Sequence, residues 1–176
     1  MATGFVKNAK RLEPYKNFKF RVLFDNKVVF GVSKVGALKR TTEVVKHRSG
    51  GQNSYDYKSW GRTTFDGIML ERGITHDHEF ETWANMVASW AGDASAKLAE
   101  YKRELTLEFL NERGQVAIRY FLHGCWVSEY SAVPELDANG NSVAIESLKI
   151  ELDGWERDPT SVEPDETDDV PSSAVG

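Results

Sequence analysis

Apolar and polar residues alternate near the start of the chain, which is the period of a β-strand. In residues 17–24 the apolar positions are Phe18, Phe20, Val22 and Phe24. Residues 27–33 repeat the pattern, with a predicted common face of Val28, Phe30 and Val32. Asp25-Asn26 stands between the two runs and is typical of a tight turn, so the sequence predicts a hairpin here.

The strand pattern returns further along the chain. The β-branched run Thr41 to Arg48 predicts a third strand, and a long polar segment follows it from Ser49 to Gly61. Later strands are predicted over 64–72, 105–109, 116–122 and 143–154, with an extended continuation over 124–131. Turns are predicted at Asn111 to Gly114 and at Asp137 to Asn141.

One segment has the spacing of an amphipathic helix instead. Its apolar residues share one face and are predicted to be core: Phe80, Trp83, Met86, Val87 and Trp90. Thr75 is the expected N-cap and Gly92 the expected end. A second short helix is predicted over 94–101. Because a helix with one apolar stripe must cover a sheet face or the mouth of a barrel, the pattern indicates a mainly β (α+β) fold.

Charge is divided unevenly along the chain. Residues 156–176 contain seven acids and one base, and removing them from 27 acids and 22 bases leaves 20 acids and 21 bases. We therefore expect a leader over 1–14, a folded domain over 15–155 and an acidic, disordered tail over 156–176. A nearly neutral domain gives little reason to expect strong binding to a polyanion, which needs a clustered basic surface.

The composition narrows the class of protein. The chain has 176 residues, of which 40% are apolar and 28% charged, which fits one ordinary domain. No apolar run approaches the roughly 20 residues of a membrane helix, so we expect no stable membrane insertion. Cys125 is the only cysteine, which excludes an intrachain disulfide and fits assembly in a reducing cytosol.

Two groups of side chains could suggest chemistry. One is a candidate metal site, His76, Asp77 and His78, but histidines two residues apart do not share a helix face. His123 and Cys125 would point the same way on a strand, yet no feature supplies an oxyanion hole or an orienting third group. We therefore expect no catalytic residue, no metal and no cofactor.

The polar segment 49–61 is a better candidate for a functional surface, because a loop this long in a small domain is usually functional. Its aromatic residues suit a protein contact, or alternatively fold back onto their own domain. The residues expected to make the contact are Ser49, Gly50, Gly51, Gln52, Asn53, Tyr55, Tyr57, Lys58 and Trp60.

Several motifs, taken in order, resemble the tail tube proteins of contractile phage tails and extracellular contractile injection systems. The most distinctive is Ile68 to Thr75, preceded by Gly61-Arg62-Thr63. The chain departs from the family pattern at Ser49, where an acid is typical, and at Ser59-Trp60, where Leu-Pro is usual. The other matching stretches are Tyr15 to Val22, Thr42 to Val45, Trp126, Leu136 to Asn141 and Val143 to Leu148.

The resemblance implies a two-sheet β-sandwich or barrel-like fold with one flanking amphipathic helix, as in the Hcp-like tubes of type VI secretion. It implies a structural inner tube subunit, whose hexameric rings stack around a lumen that DNA or effector proteins cross without specific binding. The implied partners are further copies, a sheath, and baseplate or hub proteins, with assembly in the cytoplasm. On this interpretation the segment 49–61 contacts the adjacent ring.

Three alternatives are open from the sequence alone. A specialised tube-initiator or baseplate-proximal paralogue would form one ring without extending it. A monomeric β-barrel would bind a small ligand inside a closed single chain. A metal hydrolase would use His76, His78 and His123. The sequence also does not separate a phage tail from an injection system, and it does not name the cargo.

Overall fold

The computed structural model describes residues 14–29, 31–48, 50–51, 56–88 and 98–164. These residues form a mainly β domain, which confirms the predicted fold class. The strands are β1 Phe20–Phe24, β2 Lys27–Val29, β3 Val32–Val35, β4 Arg40–His47, β5 Tyr57–Phe65, β6 Ile68–Gly73, β7 Arg103–Leu110, β8 Val116–Ser131, β9 Ile145–Glu151 and β10 Gly154–Arg157. The helices are α1 Glu79–Asn85 and α2 Leu98–Tyr101.

Two half-sheets share the long strand β8. The first half-sheet has the order β2-β1-β7-β8, with β10 on the other side of β8. The second has the order β8-β9-β6-β3, and all neighbouring strands are antiparallel. The sheets are not closed, so the barrel-like variant of the expectation is not what the described residues form.

Strand β8 changes half-sheet at a bulge around Gly124. This glycine has φ 62°, a conformation that costs little without a Cβ. The pairing with β7 slips here, from Leu122 opposite Leu105 to Cys125 opposite Arg103. As a result Leu122 and Cys125 are both buried although they are three positions apart.

The first hairpin forms as predicted, but the strand after it does not continue. Asp25 and Asn26 both have positive φ, as the turn requires. The predicted strand 27–33 then breaks at Gly31, and its two halves, β2 and β3, join different half-sheets. The predicted common face is also wrong, because Val29 is buried while Val28 is 36% exposed. Phe30 lies outside the described residues.

Helix α1 is shorter than the apolar spacing predicted. It begins at Glu79, and the N-cap position is His78 rather than Thr75. The Asp77 carboxylate accepts the Glu79 N–H (3.0 Å), so a different side chain satisfies the helix start. The helix ends at Asn85, and the expected end at Gly92 lies outside the described residues.

The apolar face of α1 packs over β8. Phe80 and Trp83 are fully buried, whereas Met86 and Val87 are half-buried, and Trp90 lies outside the described residues. The Trp83 ring meets Phe24 edge-on at 4.8 Å. Its indole N–H donates to the carbonyl of Tyr101 in α2 (2.8 Å), so the buried polar atom of this large side chain has a partner.

The C-terminal part of the domain extends past the predicted boundary. The predicted last strand 143–154 is two strands, separated at Leu152-Asp153, and β10 continues to Arg157. Asp158 is then buried and bonded to Arg119 of β8 (3.5 Å). The proposed division at residue 155 therefore falls inside a strand.

Candidate interaction surface

Strands β4 and β5 form a two-stranded antiparallel ribbon that belongs to neither half-sheet. We call this ribbon, Arg40–His47 with Tyr57–Phe65, the exposed hairpin. Every residue of β4 is exposed, and only Gly61 and Phe65 of β5 are half-buried. The prediction of a loop from 49 to 61 is therefore wrong from Tyr57 onward. The signal that identifies this strand is its content of aromatic and β-branched residues, which favour a pleated surface.

The exposed hairpin carries large apolar side chains outward. Val44 lies opposite Trp60 in the ladder, and they are 61% and 86% exposed. Val45 and Tyr57 are 48% and 50% exposed. Trp60 therefore does not fold back onto its own domain. The sequence analysis does not predict Val44 and Val45 of β4 as contact residues, because they lie within the largely polar run Thr41 to Arg48.

The structure places the nine predicted contact residues in different settings. Tyr57, Lys58 and Trp60 belong to β5, and Gly50 and Gly51 form a turn. Ser49, Gln52, Asn53 and Tyr55 lie outside the described residues. The part of the surface that is described is thus a strand ladder with defined cross-strand pairs rather than an irregular loop.

The root of the exposed hairpin is fixed to the domain. The Phe65 ring meets Trp155 of β10 edge-on at 6.2 Å, and the Arg40 guanidinium lies over the same indole at 5.8 Å. At the turn into β6, Asp66 accepts an ion pair from Lys39 (3.2 Å) and donates its N–H to the Lys39 carbonyl (3.1 Å). A two-stranded ribbon alone is marginally stable, so these contacts at its root stabilise it and fix its orientation on the domain.

Of the candidate metal residues, Asp77 serves a structural ion pair instead. Arg72, 1% exposed on β6, donates to the Asp77 carboxylate (2.9 Å), to the Asp77 carbonyl (2.7 Å) and to Glu146 of β9. The Arg72 guanidinium also lies 4.0 Å from the Phe80 ring centroid. The Glu79 N–H, together with Arg72, lowers the pKa of Asp77 below its ordinary value. His76 and His78 stay exposed, and among the described residues no group of three or more His, Cys, Asp or Glu side chains is placed so that it could hold a metal ion.

His123 and Cys125 point in opposite directions, which corrects the expectation of a common face. The bulge at Gly124 turns Cys125 into the core, and burial raises the pKa of its thiol to about 12. His123 lies between the carboxylates of Glu104 (2.6 Å) and Glu156 (3.2 Å). Partial burial alone would lower the pKa of His123, but the two hydrogen bonds raise it overall. A buried neutral thiol facing away from the imidazole cannot act as its nucleophile.

A second ion-pair network joins the first half-sheet to the residues after β10. Glu108 of β7 is 2% exposed and accepts from Arg21 of β1 and from Arg119 of β8 (2.8 Å). Arg119 also reaches Asp158 (3.5 Å). The Thr160 hydroxyl and N–H, followed by Arg119, lower the pKa of Asp158. These contacts are structural and hold the C-terminal segment against β8.

An open apolar groove of about 330 Å³ lies beside the first half-sheet. Its lining includes Phe20, Leu38, Phe109, Tyr120 and Trp155. The groove is not the interior of a closed barrel, because the sheets of the described residues stay open. Within those residues no helix combines the length and the apolar character needed to cross a membrane.

The fold and the exposed hairpin define a structural β domain that presents an anchored ribbon to its surroundings. The family described as T4-like virus tail tube protein gp19 matches residues 16–156, and the chain belongs to this family. The resemblance drawn from the motifs is thereby confirmed: the chain is a tail tube protein, of a family of structural tube proteins.

Solved structures share the fold at low sequence identity. A chain in the cryo-EM structure of the anti-feeding prophage baseplate is 20% identical, with a TM-score of 0.68 over 82% of this chain and 95% of that one. A chain in the sheath-tube complex of an extracellular contractile injection system is 18% identical, with a TM-score of 0.68 over 82% and 91%. A type six secretion system protein is 10% identical, with a TM-score of 0.51 over 84% and 90%. A comparison with curated proteins finds no match.

Proposed function

We propose that the chain is an inner tube subunit whose copies form hexameric rings, and that these rings stack around a lumen. The observation that carries the proposal is the exposed hairpin. A two-stranded ribbon is marginally stable in water, and exposed apolar clusters mark contact surfaces. A second subunit that covers Val44 and Trp60 would remove both liabilities.

The six-fold arrangement and the outer partners rest on likeness. The similar chains belong to structures described as a six-fold symmetrised baseplate and as an extended sheath-tube complex. By analogy we assign this chain a sheath on its outside and baseplate or hub proteins at one end, within a phage tail or an extracellular injection particle. Assembly in the cytoplasm fits the single buried cysteine.

The proposed lumen passes DNA or effector proteins without binding them specifically. Ion pairs within the chain already neutralise Arg21 and Arg119 of the first half-sheet, so these groups offer little free charge to a polyanion. The proposal gives the chain no catalytic step.

The test is electron microscopy with light scattering on the purified chain over a range of concentrations. We expect six-fold rings or stacked tubes from the wild type. Trp60→Ala should weaken the association between copies by about ten-fold or more, because a tryptophan that becomes buried in an interface is frequently a hot spot. Val162→Ala, which truncates another exposed apolar side chain, is the matched control and should assemble normally.

Two results would contradict the proposal. The first is a wild-type chain that stays monomeric at every concentration, also after baseplate components are added. The second is normal assembly by Trp60→Ala, which would remove the exposed hairpin from the contact while leaving the family assignment intact.

A further inference from the structure

The exposed hairpin and the β8–β9 connection lie at opposite ends of the second half-sheet. Strand β6 begins at Ile68, directly after the hairpin root, and ends at Gly73. Gly73 pairs with Ile145 at the start of β9, and the Ile74 N–H donates to the Ala144 carbonyl (3.0 Å). Six residues of strand span about 17 Å, so the two regions cannot meet within one chain through this sheet.

The exposed hairpin is basic. Residues 40–47 and 57–65 contain one acid, Glu43, against four bases: Arg40, Lys46, Lys58 and Arg62. Lys46 lies directly opposite Lys58 in the ladder, and like charges placed this way destabilise a sheet. Across the described ranges, neither ammonium group is within ion-pair distance of a carboxylate. The pair is therefore unfavourable in the free chain, and an anionic partner would relieve it.

The β8–β9 connection has the opposite charge. We call residues 132–144 the acidic loop. It contains Glu135 and Asp137, and no lysine or arginine occurs anywhere from Tyr120 to Leu148. The acidic loop and its border also expose large apolar side chains, in the same manner as the hairpin: Val133 58%, Leu136 74%, Val143 77% and Ile145 40%.

The acidic loop has a defined shape to offer a partner. The Asp137 carboxylate accepts the Asn139 N–H (2.9 Å), and the Gly140 N–H donates to the Asp137 carbonyl (3.0 Å). These bonds close a turn that fixes the backbone between Leu136 and Gly140. Leu136 therefore stands at the start of an ordered turn, and no apolar residue of the described chain covers its side chain.

We propose that the exposed hairpin of one copy binds the acidic loop of the next copy. Lys46 and Lys58 face Glu135 and Asp137, while Trp60 packs on Leu136. This inference rests on the proposed ring-forming function and names the surface that receives the hairpin. The contact is head-to-tail, because two different surfaces at opposite ends of the second half-sheet meet, and such contacts close into rings or continue as stacks.

Charge reversal tests the pairing. We expect Lys46→Glu with Lys58→Glu to reduce assembly about ten-fold or more, and Glu135→Lys with Asp137→Lys to do the same, since like charges then face each other. All four substitutions together should restore assembly. Lys16→Glu with Lys27→Glu changes the net charge equally at other exposed positions and should leave assembly unchanged.

A disulfide experiment gives an answer even if a reversed variant fails to fold. Lys58→Cys and Asp137→Cys are made in separate chains and mixed under oxidising conditions. We expect a covalent dimer only in the mixture, and none from the wild type, whose Cys125 is buried.

The outcomes separate this inference from the function on which it rests. Wild-type rings, together with normal assembly of the Glu135/Asp137 variant and no mixed disulfide, would overturn the pairing and leave the ring intact. Binding of DNA by Lys46 and Lys58 without any change in assembly would also overturn it. A wild type that forms no ring would overturn both.

Discussion

Two tryptophans of the chain occupy opposite environments. Trp83 of α1 is fully buried against Phe24 and has its indole N–H satisfied, whereas Trp60 of the exposed hairpin is 86% exposed. Removing apolar surface from water gives roughly 25 cal/mol per Å² in either place. The difference lies in when that free energy is gained: Trp83 contributes to folding, and Trp60 retains its surface for association.

The largest expected effect comes from breaking the buried side of this comparison. Trp83→Ala should lower the free energy of unfolding by about 3–5 kcal/mol, because it removes a fully buried indole and leaves a cavity. Trp60→Ala is the matched control and should change stability by about 0.5 kcal/mol or less. Urea denaturation measures both, under conditions in which the chains are monomeric. Equal losses for the two variants would show that the contrast is false.

Arg72 extends the contrast from apolar groups to charges. Arg72→Met should destabilise the fold by about 3 kcal/mol, because it leaves the Glu146 carboxylate buried at 5% exposure without its cation. The measurement is again the urea midpoint. Lys58→Met in the exposed hairpin removes a cation without an ion-pair partner in the described chain and should be neutral or slightly stabilising, because it also removes the repulsion from Lys46. A neutral Arg72→Met would mean that the buried pair does not stabilise the domain.

The glycines of the two regions should respond differently as well. Gly124→Ala should cost about 1–2 kcal/mol, because an L side chain is strained at φ 62° and its Cβ would displace the Asp153 carboxylate. Gly61→Ala in the exposed hairpin meets Val45 and Glu43 at 3.1 and 3.2 Å and should disturb the ribbon locally. Differential scanning calorimetry should show a lower melting temperature for the first variant only.

The smallest effect concerns an exposed ion-pair group. The pKa of His123 is raised in the folded chain, so its stabilising contribution is complete below the unfolded value near 6.5 and disappears as the pH rises through the folded value. The stability difference between wild type and His123→Gln should therefore be largest below about pH 6.5 and shrink as the pH rises above it. A difference that grows with pH would contradict the assignment of Glu104 and Glu156 as its partners.

The sequence predicts correctly the elements that depend only on residues close together in the chain. The turn at Asp25-Asn26, the strand β7 and the buried face of α1 near Phe80 and Trp83 follow from alternation, turn chemistry and helical spacing. The family followed from motifs spread over the whole domain and is confirmed.

The incorrect predictions concern residues whose conformation depends on strands distant in the chain. The loop predicted over residues 57–61 is wrong because this part of β5 has no buried face to reveal it, and pairing with β4 holds it extended. Val28 and Val29 exchanged roles because β2 follows the register of β1. The predicted orientation of Cys125 is wrong because one bulge at Gly124 reverses the alternation of side chains after it. The proposed contact residues that the structure describes stay a prediction as contacts: Gly50, Gly51, Tyr57, Lys58 and Trp60.

The length of β8 has a consequence for how the domain comes apart. Its sixteen residues supply ladder partners to β7 and β10 at one end and to β9 at the other. Neither half-sheet can therefore melt without stripping hydrogen-bond partners from a strand that the other half also uses. The two halves should behave as one cooperative unit, with similar amide exchange protection on both sides of Gly124. A tube built from such subunits would yield at the contacts between copies before any single copy opened.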